Sequence, residues 1–202
     1  MNVLFDLGNV VLNWDPQAII SSLNLTEVKK RAIGSELLGS DYWLELDAGC
    51  SSEAEVIERL EQNSVLSARD IQQCLDATKT SLLEIGPTIE LMQQIADQQI
   101  QMYCLSNMSR ETYAFIKDRP LFNFFEDLVI SGEVKLIKPD PDIFNYALDK
   151  FSIQAADTLF IDDSQANIDS AAQLGFCTVL FDRSDDCYQQ IRALLGLHSK
   201  SC

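Results

Sequence analysis

The stretch Val3-Leu4-Phe5-Asp6-Leu7-Gly8-Asn9-Val10-Val11-Leu12 decides how this chain is read. Three apolar, β-prone residues lead to a single carboxylate, a Gly-Asn turn follows, and a second apolar run closes the segment. A short continuous apolar strand is the mark of a strand covered on both faces, as in parallel sheets. In open α/β sheets ligands bind beyond the carboxyl ends of such strands, so Asp6 stands where a nucleophile would be presented. Position 8, two residues further on, carries no side chain at all.

Further β-branched or aromatic runs occur at residues 101–105, 127–130, 158–161 and 176–181. Between the later runs, apolar residues recur at helical spacing over 109–117, 140–150, 165–174 and 184–195. Strands alternating with helices predict an α/β protein with a Rossmann-like, doubly wound parallel sheet. Residues 15–85 break that rhythm and read as consecutive helices at 16–23, 26–33, 53–62 and 68–83. Pro16 suits a first helical turn, and Ser52-Glu53-Ala54-Glu55 resembles a capping box. A helical insertion after the first strand would stand over the carboxyl edge of the sheet, where a lid belongs, and Gly86-Pro87 marks the return. The expected organisation is a core of residues 1–14 and 86–202 with an inserted α-helical cap of residues 15–85.

The bulk numbers narrow the partners. With 202 residues, 47% hydrophobic and 23% charged, the chain has the composition of an ordinary soluble globular protein. A formal charge of −16 disfavours nucleic acid and anionic membrane surfaces, which require Lys and Arg. A small anionic ligand would have to be drawn by local cations instead. The six cysteines show no C-x-x-C spacing, so reduced thiols of a cytoplasmic protein are expected in place of a zinc site or a disulfide framework. The single histidine, His198, lies in a polar tail, which removes Ser-His and Cys-His catalysis. Strand-like sequence begins at Val3, leaving no room for a signal peptide, and no apolar run approaches membrane-spanning length.

Four motifs fall at strand ends: Asp6; Ser106-Asn107 after Met102-Tyr103-Cys104-Leu105; Lys138-Pro139-Asp140 before a helix; and Asp162-Asp163 after Leu159-Phe160-Ile161. A doubly wound sheet would bring all four to one crevice. In this order and spacing, Phe-Asp-Leu-Gly-Asn-Val, Leu-Ser-Asn, Lys-Pro-Asp and Phe-Ile-Asp-Asp-Ser-Gln-Ala-Asn resemble the haloacid dehalogenase (HAD) superfamily, most of whose members are Mg²⁺-dependent phosphatases with an aspartyl nucleophile. The helical insertion resembles the cap of the phosphoglycolate-phosphatase-like branch. The start is similar to the group holding sugar-1-phosphate phosphatases and the amino-terminal phosphatase domain of soluble epoxide hydrolases.

The resemblance implies hydrolysis of a small phosphorylated metabolite, with sugar phosphates as the leading class, through an aspartyl phosphate on Asp6. A carbon–halogen hydrolase using Asp6, or a weakly catalytic binding protein on the same fold, are the alternatives. The Ser106 hydroxyl and Asn107 amide would donate to phosphoryl oxygens, or would merely form the turn that starts the next helix. Lys138 would bridge nucleophile and phosphoryl group, with the nearby Lys135 competing for that role. The neighbouring carboxylates of Asp162 and Asp163 repel, and Mg²⁺ is the natural compensation, although helix capping accounts for one of them. By the resemblance the metal would be held by Asp6, the backbone carbonyl of Gly8 and Asp163. Asp162 would stand behind it or be bonded to Lys138, and Asn167 would orient ligand waters.

Gly8 occupies the position at which such sites usually carry a second carboxylate as general acid, often worth about 10²–10⁴-fold in rate. Three explanations stand. Water or an easily expelled leaving group makes the acid dispensable, Asp15 swings in from the cap hinge, or catalysis has decayed. Asp15 equally suits the N-cap of the helix at Pro16. In the cap, Trp14, Tyr42, Trp43 and the Asp47-Ala48-Gly49 turn could line a pocket, with Asp41, Glu45 and Asp47 hinting at hydroxyl-rich ligands, though aromatics there also build a cap's own core.

Overall fold

A computed structural model describes residues 1–197 of the chain, so the expectations for His198 and Cys202 lie outside the described residues. Among the described residues, five parallel strands form one sheet: β1 (Asn2–Phe5), β2 (Met102–Ser106), β3 (Asp127–Ile130), β4 (Thr158–Asp162) and β5 (Cys177–Leu180). Their spatial order is β3-β2-β1-β4-β5. The chain therefore winds one way from β1 to β3 and then crosses back to β4, which makes the β1–β4 seam the switch point where a crevice opens. Phe5 pairs with Ile161 across that seam, and the Asp6 amide donates to the Ile161 carbonyl at 3.0 Å. The register thus places Asp6 level with Asp162.

Eleven α-helices complete the described chain. Five lie between β1 and the return to the sheet: α1 (Pro16–Ser22), α2 (Glu27–Ala32), α3 (Asp41–Asp47), α4 (Glu53–Glu61) and α5 (Ala68–Ser81). The other six are α6 (Gly86–Asp97), α7 (Arg110–Ile116), α8 (Ser131–Val134), α9 (Pro141–Phe151), α10 (Gln165–Gln173) and α11 (Asp185–Leu194). The strands obey the period-2 rule that a doubly covered sheet needs. Val3, Phe5, Met102, Cys104 and Ile161 face one apolar layer with α6 and α11 residues such as Leu91, Ile95 and Ile191. Leu4, Tyr103, Leu105 and Phe160 face the other with Ile143, Phe144 and Ala147 of α9 and Ile168 and Ala171 of α10.

The helical insertion has an apolar core of its own, built from residues including Ile19, Ile33, Leu37, Leu46, Val56, Leu60, Ile71 and Leu75. Its helices start where their caps dictate. Ser52 and Glu55 form the expected capping box at α4, and Ser67 with Asp70 forms another at α5. Outside the insertion the sequence expectation lacks α6 and the short α8, and within it two elements, a π-helical turn at Ile33–Leu38 and α3. The latter two fall where apolar spacing is irregular, and π-helical hydrogen bonding shifts the 3.6 period on which the reading depends.

The helical layer is fixed on the core at identifiable points. Gly49 adopts a left-handed φ of +65°, and a Cβ there would lie 2.1 Å from the Gly132 carbonyl oxygen, so the approach of α3 to α8 requires glycine. Trp14 packs against both the core and the helical layer. Arg119 donates to the carbonyls of Leu82 and Lys79 and closes the end of α5 onto the core. Cys50, Cys74, Cys104, Cys177 and Cys187 are free thiols, and no helix among the described residues is long and apolar enough to cross a membrane.

Phe144 is fully buried, with ring centroids 5.4 Å from Phe160 and 6.0 Å from Phe176. Phe144→Ala should lower the free energy of unfolding by about 3–5 kcal/mol, measured by urea denaturation.

Candidate active site

Asp6 leaves β1 at the seam and finds a cation already in place. The Lys138 ammonium lies 2.8 Å from Asp6 Oδ1 and 2.7 Å from Asp162 Oδ2, and it donates to the Leu105 carbonyl at 2.9 Å. A lysine ammonium has three donors, and all three are thus spent within the protein. Lys138 therefore orients Asp6, and the phosphoryl contact expected of it would require one of these bonds to be exchanged. Lys135 does not compete. It is exposed and caps α8 in a left-handed conformation, whereas Lys138 is 4% exposed.

Asn107 is the partner that sets the Lys138 loop. Its Nδ2 donates to the Lys138 carbonyl and its Oδ1 accepts from the Lys138 amide, both at 2.9 Å, next to a cis Lys138–Pro139 bond. Asn107 also lines the cleft. Ser106, expected beside it as a phosphoryl donor, is the last residue of β2 and is almost wholly buried. Residues 107–109 line the cleft and Ser106 does not, because the chain leaves the sheet only after Ser106.

The two neighbouring aspartates at the end of β4 play different structural parts. Asp162 is fully buried and saturated: besides Lys138, it accepts from the Ser164 amide at 2.8 Å and from Asn167 Nδ2 at 3.0 Å. Asn167 thus holds Asp162. Asp163 is exposed and accepts from Asn9 Nδ2 at 3.0 Å. Asn9 carries no signal of its own in the sequence beyond the Gly8-Asn9 turn. It adopts φ of +55°, and Arg183 fixes it by donating to its Oδ1 at 2.7 Å and its carbonyl at 3.1 Å.

Oxygens of Asp6, Asp162 and Asp163 lie within 4.8 Å of one another. One ammonium offsets only one of these three charges, and Asp6 and Asp163 bear the excess. Burial pushes the Asp6 carboxyl above its usual range; Lys138 opposes this, while Asp162 and Asp163 reinforce it. Asp163, although exposed as a residue, is raised as well through partial desolvation of its carboxyl on the cleft side, offset by Asn9 and reinforced by Asp162. Burial disfavours the Lys138 charge, yet Asp6 and Asp162 outweigh it and hold its pKa above the usual lysine value. A hard divalent cation suits this donor set, because it supplies the missing positive charge and takes carboxylate and carbonyl oxygens. Asp163, with its exposed carboxylate, is better placed to serve such an ion than the saturated Asp162.

Over this cluster opens a cleft of about 680 Å³, its mouth included. Asp6, Gly8, Lys138 and Asp163 line its floor, and Trp14, Trp43, Asp47 and Thr78 line it from the side of the helical layer. Trp14 and Trp43 stack with centroids 5.1 Å apart. The structure does not bring Asp15 to the cleft. It is exposed, and its carboxylate caps α1 by accepting from the Ala18 amide at 2.9 Å, the use that Pro16 at the helix start favours. Nor do the acidic residues of α3 act together. Asp41 is exposed, and Glu45 is engaged by Arg59 at 2.6 Å and Ser51 at 2.7 Å, which leaves Asp47 in the lining.

Fold, motif order and site geometry agree with a family match. Residues 2–175 fit the family described as haloacid dehalogenase-like hydrolases, and the chain belongs to that family of hydrolytic enzymes. It is 27% identical over 96% of its length to drimenol cyclase drtB of Aspergillus calidoustus, although it spans only 36% of that protein. It is 24% identical to the D-ribitol-5-phosphate phosphatase of Bacteroides thetaiotaomicron, covering 96% of this chain and 98% of the relative. Among solved structures, a HAD-family enzyme of Bacteroides thetaiotaomicron in a magnesium complex superposes with a TM-score of 0.76 at 25% identity, over 95% of this chain and 98% of the other.

Removing the shared cation tests this reading of the site. Lys138→Met strands Asp6 and Asp162 in a buried setting and should cost about 3–5 kcal/mol of stability at neutral pH. Without the ammonium that opposes it, burial holds the Asp6 carboxyl further above its unfolded value. That penalty is full above the folded pKa and fades as pH falls toward the unfolded value, so the deficit measured by denaturation should shrink on acidification.

Proposed function

We propose that this chain is a Mg²⁺-dependent phosphatase that hydrolyses a small phosphomonoester through an aspartyl phosphate on Asp6. The observation that carries the reading is the seam cluster itself, a strand-end carboxylate held by a buried lysine beside an excess of negative charge. Asp6, Asp163 and the Gly8 carbonyl would hold the ion. When bound, Mg²⁺ would neutralise the transferring phosphoryl group and stabilise the ionised carboxylates.

Asp6 Oδ1 is tied to Lys138, which leaves Oδ2 as the attacking oxygen; it is the atom that a Cβ at position 8 would meet, at 3.8 Å. Attack on phosphorus splits ester hydrolysis into two displacements, each easier than the whole. Lys138 keeps Asp6 ionised and aimed, a preorganised contribution made before substrate arrives. Asn107 sets the position of Lys138, and Asn9 with Arg183 sets Asp163. Sugar or sugar-alcohol phosphates are the favoured substrates. The stacked indoles of Trp14 and Trp43 offer a flat apolar wall beside the polar Asp47 and Thr78, a combination suited to a polyol chain or ring. The likeness to a D-ribitol-5-phosphate phosphatase supports the same class. A halide-releasing reaction fits poorly, because it has no use for a cation and would leave the clustered carboxylates of Asp6, Asp162 and Asp163 uncompensated.

The test is hydrolysis of p-nitrophenyl phosphate and a panel of sugar phosphates. Chelation should abolish turnover and added Mg²⁺ should restore it, while Asp6→Asn should lower kcat by at least about 10³-fold with folding intact. No turnover by the wild-type chain on any ester would instead favour a binding protein on this fold.

A further inference from the structure

The phosphatase reading leaves one reaction component without an owner, the proton that must reach the leaving oxygen. Gly8 does not supply it. Nothing in the backbone demands glycine there, since a Cβ would meet no atom closer than Asp6 Oδ2 at 3.8 Å, yet the position carries no side chain. The carboxylates that line the cleft are Asp6, Asp163 and Asp47. The first is the nucleophile and the second faces the metal position. We propose that Asp47, delivered by the helical insertion, is the proton-transfer residue of this site, acting as acid for the leaving group and as base for the hydrolytic water.

The assignment rests first on placement. Asp47 is the last residue of α3, and its backbone carbonyl accepts from Ser131 Oγ at 2.5 Å, a bond between positions 84 apart. Ser131 Oγ in turn accepts from the Met108 amide at 2.9 Å, next to the Asn107 that sets Lys138. Two residues on, Gly49 lies against the Gly132 carbonyl so closely that no side chain is accommodated. This one point of the helical layer is therefore pinned to the sheet edge, and it carries a carboxyl group into the cleft beside Asp6.

Its surroundings suit a group that holds a proton and passes it on. None of the ion pairs among the described residues involves Asp47. Burial, together with the charge of Asp6, raises its pKa to about 7, against hydrogen bonds from the Ser109 amide and the Trp43 indole and the more distant charge of Lys138. A general acid works best with a pKa near the operating pH. The exposed Asp15, which caps α1, has no comparable placement.

The chemistry balances within the site. In the first step a bond forms between Asp6 Oδ2 and phosphorus while the phosphorus–oxygen ester bond breaks. The departing oxygen keeps the electron pair and takes the Asp47 proton, so an alcohol leaves. In the second step Asp47 carboxylate accepts a proton from water as the water oxygen attacks phosphorus. The bond between phosphorus and Asp6 Oδ2 breaks with its electron pair returning to Asp6, phosphate departs, and Asp6 carboxylate and Asp47 carboxylic acid are restored.

This inference depends on the phosphatase reading, and the experiment separates the two. Burst kinetics of Asp47→Asn, an isosteric change whose folding is checked by thermal melting, are compared on p-nitrophenyl phosphate and on glycerol phosphate. Nitrophenolate needs no proton to leave, so its first-turnover burst should stay within about tenfold of wild type, while steady-state turnover falls about 10²–10⁴-fold and phosphoenzyme accumulates on Asp6. Glycerol phosphate should lose activity to the same extent with no burst, and Asp47→Glu should regain part of it. Burst and turnover falling together, or neither changing, would overturn the assignment. Absence of wild-type turnover on both esters would overturn the phosphatase reading, and the role of Asp47 with it.

Discussion

A lysine ammonium with 1% of its side chain exposed, set between Asp6 and Asp162, is the contact around which this molecule is organised. Two buried carboxylates at adjacent strand ends would repel and resist desolvation, and a lone buried ammonium would be equally costly. Together they form a compensated group, with the Leu105 carbonyl taking the remaining donor. That group ties β1, β2, β4 and the loop before α9 into one structure at the switch point. The nucleophile's position, the saturation of Asp162 and the exposure of Asp163 all follow from it. The net negative charge left over calls for a cation, so the same contact that stabilises the fold also defines the site's chemistry.

The helical insertion completes the site by docking and has a core separate from that of the sheet. Its apolar residues are satisfied internally, so few contacts need to join the layers, and those that do are specific: Gly49 on Gly132, Ser131 on Asp47, Arg119 on the end of α5. A second ionic group lies between the layers, where Lys79 holds Glu53 at 2.7 Å and Glu111 meets the Glu53 amide at 3.3 Å. Trp14 and Trp43 stack across the hinge and roof the cleft. The layer thus provides shape and, through Asp47, a titratable group, while the sheet provides charge.

Sequence reading reached the strands, most helices and the four strand-end motifs because these are local patterns. Strand spans were legible to within a residue or two, and the Ser52 capping box stood where its residues said. The reading fell short where pattern and geometry separate. The π-helical turn and α3 do not follow the 3.6 spacing. Ser106 and Asn107 are adjacent in sequence, yet β2 ends at Ser106, which stays buried in the sheet, and Asn107 leaves the strand to line the cleft. Asp15 was read both as an acid and as a cap, and only the capping role is seen. Asn9 and Arg183, 174 positions apart, had no local signal to connect them.

The amino-acid sequence alone determined the α/β architecture, and it sets Asp6 and Asp162-Asp163 at the ends of apolar runs and Lys138 just ahead of a helix. Period, turn chemistry and residue type are properties of neighbours along the chain, so they can be read there. Tertiary structure alone decided which lysine is buried, which of two neighbouring aspartates is saturated, and which acidic residue of the insertion enters the cleft. Those outcomes depend on desolvation and on partners brought from distant positions, such as the 154-residue span from Asn9 to Asp163. The burial that gives a carboxyl group its chemical character exists only once the sheet edge and the helical layer have met.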